Sequence, residues 1–185
     1  MLKIALVGPE STGKSTLSAT LAEYYGTAFV PEYARNYIAG LTRPYLLEDI
    51  VHIAKSQLEL EKSIELSSNK ILFCDTNLLV TKIWAQNAFN CVPSFINENW
   101  KPKDYVLHLL MDVDIPWQPD PLREHPHLRS YLFEKYHTEL KQEGANYKII
   151  KGLGNERLEA AVMGYRNFIF RNKTNQFLFS FKWSF

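Results

Sequence analysis

Gly8-Pro9-Glu10-Ser11-Thr12-Gly13-Lys14-Ser15 follows the apolar run Ile4-Ala5-Leu6-Val7 and precedes Thr16 to Tyr25. The run before it reads as a buried strand, and the segment after it as an amphipathic helix. Strand, glycine loop and helix is the setting in which G-x-x-x-x-G-K-[ST] holds nucleotide phosphates. Gly8 and Gly13 let the backbone wrap so that successive N–H groups point inward as an anion nest. The helix starting near Lys14 adds the positive end of its dipole. Lys14 is placed to reach the β- and γ-phosphates, and the Ser15 hydroxyl to ligate Mg²⁺. The loop therefore predicts ATP as donor and Mg²⁺ as its ion. Gly8, Glu10, Ser11, Thr12, Gly13, Lys14, Ser15 and Thr16 form the donor side.

The rest of the chain sets limits on partners. Its 185 residues suit one domain with a substantial core. A content of 46% hydrophobic and 22% charged residues is that of a globular protein. The formal net charge of +1, with no Lys/Arg run, gives no reason to expect a nucleic-acid partner. Cys74 and Cys91 have no metal spacing and no disulfide framework. With the first strand opening almost at the N-terminus and no apolar stretch of membrane-spanning length, the expectation is a cytoplasmic protein without a membrane partner.

Short apolar runs alternate with helical patterns, which predicts an α/β P-loop NTPase with a parallel five-stranded sheet flanked by helices. The expected strands are residues 3–7, 28–30, 71–75, 105–111 and 147–150. Helices are expected over about 46–67, 78–88, 131–143 and 156–170. The predicted kinase domain covers 1–166. The remaining 167–185 form an aromatic tail in which Phe177, Phe179, Phe181 and Trp183 alternate with Leu178, Ser180, Lys182 and Ser184. That period of two predicts a strand with one aromatic face, packed on the body or on a second subunit in a homodimer.

In an open parallel sheet, ligands sit beyond the C-terminal strand ends. The second strand ends in Pro31-Glu32-Tyr33-Ala34-Arg35, where Glu32 can accept from substrate hydroxyls and Arg35 can hold phosphate oxygens. The third ends in Asp75-Thr76-Asn77. Asp75 is either the Mg²⁺-associated carboxylate or the base that accepts the substrate hydroxyl proton. The fourth leads into Asp112-Val113-Asp114-Ile115-Pro116-Trp117-Gln118-Pro119-Asp120-Pro121-Leu122-Arg123, where three prolines exclude a helix. This segment predicts a short lid whose Arg123 stabilises charge on the transferring group, with Trp117 stacking on a ligand ring. After the fifth strand, Gly152 to Arg157 is a candidate edge of the adenine pocket, with Arg157 on the cofactor side.

G-x-E-S-T-G-K-S-T at 8–16, E-Y-x-R at 32–35, D-T at 75–76, P-W at 116–117 and D-x-L-R at 120–123 occur in that order. Together they resemble the ribosylnicotinamide kinase domain of the NadR type, over about Met1 to Gly164. The resemblance implies a P-loop kinase that uses MgATP to phosphorylate the 5′-hydroxyl of nicotinamide riboside, giving nicotinamide mononucleotide for NAD salvage. It implies Lys14, Asp75 and Arg123 at the reaction centre, with Ser15 and Asp75 at the metal. Glu32, Tyr33, Arg35, Gln57, Asn77 and Trp117 would lie on the nucleoside side. Asn77 stands where some relatives carry a second Asp. Larger members carry DNA-binding and adenylyltransferase domains ahead of the kinase, and the expectation here is the kinase alone. Two alternatives stay open: a P-loop kinase for another small hydroxyl acceptor, and a nucleotide-dependent ATPase switch.

Overall fold

The computed structural model describes residues 1–66, 68 and 70–180, with the backbone alone for 171–180. Five strands, β1 (Leu2–Val7), β2 (Phe29–Val30), β3 (Ile71–Asp75), β4 (Leu107–Met111) and β5 (Tyr147–Ile150), form one parallel sheet in the order β2-β3-β1-β4-β5. Parallel neighbours need crossovers, which the helices supply. These are α1 (Lys14–Tyr25), α2 (Tyr33–Ala39), α3 (Leu47–Glu65), α4 (Leu78–Phe89), α5 (Ser94–Asn99), α6 (Arg129–Gln142) and α7 (Asn155–Ser180). Among the described residues, no helix is long and apolar enough to cross a membrane.

The apolar runs are continuous because the sheet is covered on both faces. In β1, Ala5 and Val7 join a core with Ile50, Ala54, Leu79 and Leu132 from α3, α4 and α6. Ile4 and Leu6 point the other way, into a core with Leu17, Leu21, Ala161 and Val162 from α1 and α7. All four β1 side chains are fully buried. Truncating Ile4 or Leu6 to alanine would cost about 2–5 kcal/mol.

β1 occupies the centre of the sheet, with β3 on one side and β4 on the other. Successive connections change direction there, which opens a crevice at the C-terminal strand ends. The loop 8–15 occupies that point. The β1–β3 register sets Leu6 beside Asp75, so the carboxylate at the end of β3 lies next to the loop leaving β1.

Of the expected aromatic strand, the described residues 177–180 are helical instead, because α7 runs on to Ser180. Extending a formed helix adds one hydrogen bond per residue without a new nucleus, whereas a strand needs an edge to pair with. Lys182, Trp183 and the other residues of 181–185 lie outside the described residues.

Candidate active site

The loop geometry follows from two glycines. Gly8 has φ 137°, and a Cβ there would stand 2.9 Å from the Met111 carbonyl oxygen at the end of β4. Gly13 caps α1 with φ 77°, a left-handed conformation that costs glycine little. Ser11 also has positive φ, 54°. Thr12 Oγ1 donates to the Pro9 carbonyl at 2.8 Å, which closes the turn from inside. Lys14 Nζ donates to the Gly8 and Pro9 carbonyls at 2.9 and 2.8 Å. Its ammonium is thus held at the mouth of the loop.

That loop forms one wall of a cleft of about 400 Å³, lined by Glu10 to Thr16, by Glu32, Arg35 and Ile38, and by Tyr45. Val80, Ile83, Trp84 and Asn87 of α4, Leu132 and Tyr136 of α6, and Pro121 to His125 complete it. A volume of this size suits a small organic ligand. Tyr45 packs edge-on against Trp84 with ring centroids 4.9 Å apart.

Asp75, at the end of β3, is 1% exposed, with Oδ1 buried and lacking any hydrogen-bond partner among the described residues. Burial first, then the charge of Glu32, pushes its pKa from 3.8 up to about 6. The Ser15 hydroxyl, Lys14 and Arg35 pull the other way. A buried carboxylate with one free oxygen, beside the Ser15 hydroxyl, is an oxygen-donor set suited to a hard divalent cation. Ser15 and Asp75 therefore fit the expected Mg²⁺ site. The nest of backbone N–H groups with Lys14 fits the expected phosphates.

The segment 116–128 is tied down from two sides. Glu10 Oε2 accepts from the backbone N–H groups of Glu124 and His125 at 3.1 and 3.3 Å. Ser11 Oγ accepts from the Gln118 N–H at 2.9 Å and from Arg123 Nη1 at 3.4 Å. On the opposite side, Arg35 Nη2 donates to Asp120 Oδ2 at 2.5 Å, and Tyr45 Oη to Glu124 Oε2 at 2.9 Å. Glu10 is thus part of the cleft, but its carboxylate holds the segment 116–128.

Of the residues expected at the site, Glu32, Arg35 and Arg123 line the cleft with loop residues 10–16, whereas Gly8, Asp75 and five others do not. Gln57 is buried and accepts the Tyr33 N–H at 2.9 Å while donating to the Pro31 carbonyl at 3.3 Å, so it shapes the β2–α2 turn. Tyr33 turns toward α3, with its hydroxyl 3.3 Å from His52 Nε2. Asn77 is buried at the start of α4, where its Oδ1 accepts the Leu79 N–H at 3.1 Å as an N-cap. Trp117 packs under the Arg129 guanidinium, 5.9 Å from its ring centroid. Arg157 is buried behind the loop and donates to Asp114 Oδ1 at 2.6 Å and to the Asp112 carbonyl at 3.0 Å, joining the ends of β4 and β5.

Sequence reasoning missed Trp84, Tyr45, Tyr136 and Asn87. A signal for two of them was present. Val80, Ile83, Trp84 and Asn87 recur at i, i+3, i+4 and i+7 on the helix that follows Asp75, one face of α4. Arg129, the second arginine after β4, donates to the Ser11 carbonyl at 2.9 Å and to the Ile115 carbonyl at 3.0 Å, so it supports the loop.

Known proteins share this frame. The chain is 27% identical over 124 residues to the trifunctional NAD biosynthesis/regulator protein NadR of Salmonella typhimurium, covering 65% of this chain and 30% of that protein. A solved structure of NadR protein in complex with NR superposes with a TM-score of 0.73 at 21% identity, over 90% of this chain and 51% of the other. A thymidylate kinase from Ehrlichia chaffeensis superposes with a TM-score of 0.58 at 16% identity, over 88% and 97% of the two chains. The chain thus spans under a third of the curated NadR and about half of the solved one. The AAA domain profile matches residues 3–157. Most of the chain falls within that match, and the chain belongs to the AAA domain family.

Proposed function

We propose that this domain transfers the γ-phosphoryl group of ATP to the 5′-hydroxyl of nicotinamide riboside, producing nicotinamide mononucleotide. The observation that carries the reading is the buried Asp75 carboxylate. It stands beside Ser15, next to a loop that lines a cleft together with the aromatic rings of Tyr45, Trp84 and Tyr136. A hydrolytic switch has no need of such an enclosed acceptor side. Similarity to NadR, including the structure with NR, supports the choice of acceptor.

ATP would supply the phosphoryl group, and Mg²⁺ held by Ser15 and Asp75 would neutralise charge on its oxygens. Lys14 would turn from the Gly8 and Pro9 carbonyls to the phosphates. Asp75, ionised above a pH of about 6, would hold the ion or accept the proton of the attacking hydroxyl. Glu32 would accept from ribose hydroxyls, and Arg123 would stabilise charge on the group in transfer. Tyr45, Trp84 and Tyr136, with the carboxylates of Glu32 and Glu124, make the acceptor wall both aromatic and acidic. Aromatic faces and nearby carboxylates favour a cationic ring such as the pyridinium of nicotinamide riboside over a neutral base.

Incubation with MgATP and nicotinamide riboside tests this by mass spectrometry of the products. The reading expects the nucleoside to gain one phosphoryl group while ATP becomes ADP. ADP and inorganic phosphate with unchanged nucleoside would refute it.

A further inference from the structure

The lid segment holds one carboxylate between two arginines of opposite walls. Asp120 Oδ2 accepts from Arg35 Nη2 at 2.5 Å and lies 4.0 Å from Arg123 Nη2. Its other oxygen accepts the Leu122 N–H at 3.0 Å, which fixes the carboxylate within its own turn. The Asp120 side chain is 14% exposed, whereas those of Arg35 and Arg123 are 50% and 23% exposed. The acid is therefore the fixed member of the trio and the guanidiniums are the adjustable ones.

The two arginines belong to different halves of the cleft. Arg35 sits on α2, the helix that follows the cleft residue Glu32. Arg123 reaches the phosphate loop, with Nη1 donating to the Gln118 carbonyl at 2.5 Å and lying 3.4 Å from Ser11 Oγ. The lid's remaining side-chain ties to the loop, through Glu10 and Ser11, fasten its backbone but do not reach α2. Tyr45–Glu124 touches the acceptor side without contacting either arginine.

We infer that Asp120 is a positioning residue, which through one shared oxygen sets Arg123 over the phosphate end in register with Arg35 on the acceptor side. This role rests on the phosphoryl-transfer reading above. A carboxylate held by both walls makes the placement of Arg123 depend on α2. Occupancy of the acceptor side then favours transfer over loss of the phosphoryl group to water. Two sites linked by one shared group are expected to influence one another by about 5–150-fold.

The test compares acceptor-dependent transfer with acceptor-free ATP hydrolysis in the full chain. Asp120→Asn keeps the size of the side chain and removes its charge. The ratio of transfer to hydrolysis should fall roughly tenfold or more, with the KM for ATP little changed. Asp120→Glu should restore part of the ratio, because it returns the charge on a longer arm. Transfer and hydrolysis falling by the same factor, or a ratio equal to wild type, would overturn the role and leave a plain ion pair. Should Asp120→Asn fail to fold, Arg35→Lys carries the same comparison, since lysine keeps the charge and loses the planar fork. Wild-type ADP release that no nucleoside stimulates would remove the transfer reading itself and this role with it. A wild type that transfers, beside an Asp120→Asn variant with an unchanged ratio, removes only the role of Asp120.

Discussion

The Ser15 hydroxyl sits beside the Asp75 carboxyl and lowers its pKa, but burial and the charge of Glu32 prevail and raise it to about 6. The two residues come from beyond different strand ends, Ser15 from the first turn of α1 after β1 and Asp75 from the end of β3. Parallel pairing of those strands is what brings them together. An anion kept in a dry site costs stability unless a cation joins it. Asp75 is thus the residue where folding and chemistry pull in opposite directions.

That opposition makes a paired prediction for Asp75→Asn. Because the native pKa of about 6 exceeds the ordinary 3.8, the folded chain binds more protons than the unfolded chain between those values. Its contribution to stability therefore falls as pH rises through that window. At most about 3 kcal/mol is lost by pH 7.5. Asp75→Asn should raise Tm by a few degrees at pH 7.5, with the gain shrinking toward pH 4. The same variant should lose transfer, and wild-type kcat/KM should decline as pH drops below about 6. Thermal melts across pH and a pH–rate profile check both halves. A Tm unchanged or lowered at pH 7.5 would show that the charge is not isolated.

Lys14→Ala removes the ammonium held at the Gly8 and Pro9 carbonyls. Its part-buried hydrogen bonds carry little stability, but loss of one pre-positioned charge at the phosphates should reduce kcat about 100-fold or more. Single-turnover kinetics beside a melt separates the two effects. A variant with kcat within a few-fold of wild type would exclude the lysine from the chemistry.

Trp84→Ala should act on the acceptor alone. The ring lines the cleft and packs against Tyr45. Loss of an aromatic stacking face is worth about 1–3 kcal/mol. The KM for the nucleoside should therefore rise by an order of magnitude while the KM for ATP stays near wild type. Initial-rate measurements with each substrate varied in turn check this, and equal changes in both constants would contradict it.

Gly8→Ala should abolish nucleotide binding. At φ 137° an alanine is strained, and its Cβ would meet the Met111 carbonyl oxygen at 2.9 Å, a backbone atom that β4 holds in place. The cost should exceed about 1 kcal/mol, because alanine is forced into a conformation only glycine accepts easily. Calorimetry with a non-hydrolysable ATP analogue reads the loss, and wild-type affinity would contradict the geometry.

The strand ends were legible because buried parallel strands leave continuous apolar runs, and the loop because its residues are adjacent in sequence. Glu32, Asp75 and Arg123 followed from the rule that ligands sit beyond strand ends. Side-chain direction was not legible. Tyr33 and Arg35 are two residues apart on α2, yet one turns to His52 and the other into the cleft. Trp117 drew attention by its place in the lid segment but packs under Arg129, while Trp84 lines the cleft from a helix that reads as ordinary core. Gln57 and Asn77 hydrogen-bond to the backbone, a use that spacing cannot distinguish from ligand binding. The alternating aromatics of 177–180 mislead for a different reason, because the helix already formed ahead of them simply continues.

The most direct test of phosphoryl transfer to a nucleoside is ADP release from MgATP, measured without acceptor and then with a panel of nucleosides including nicotinamide riboside. Release alone should be slow, and nicotinamide riboside should stimulate it strongly, more than any neutral nucleoside does. A rate the same with every acceptor as with none would contradict it.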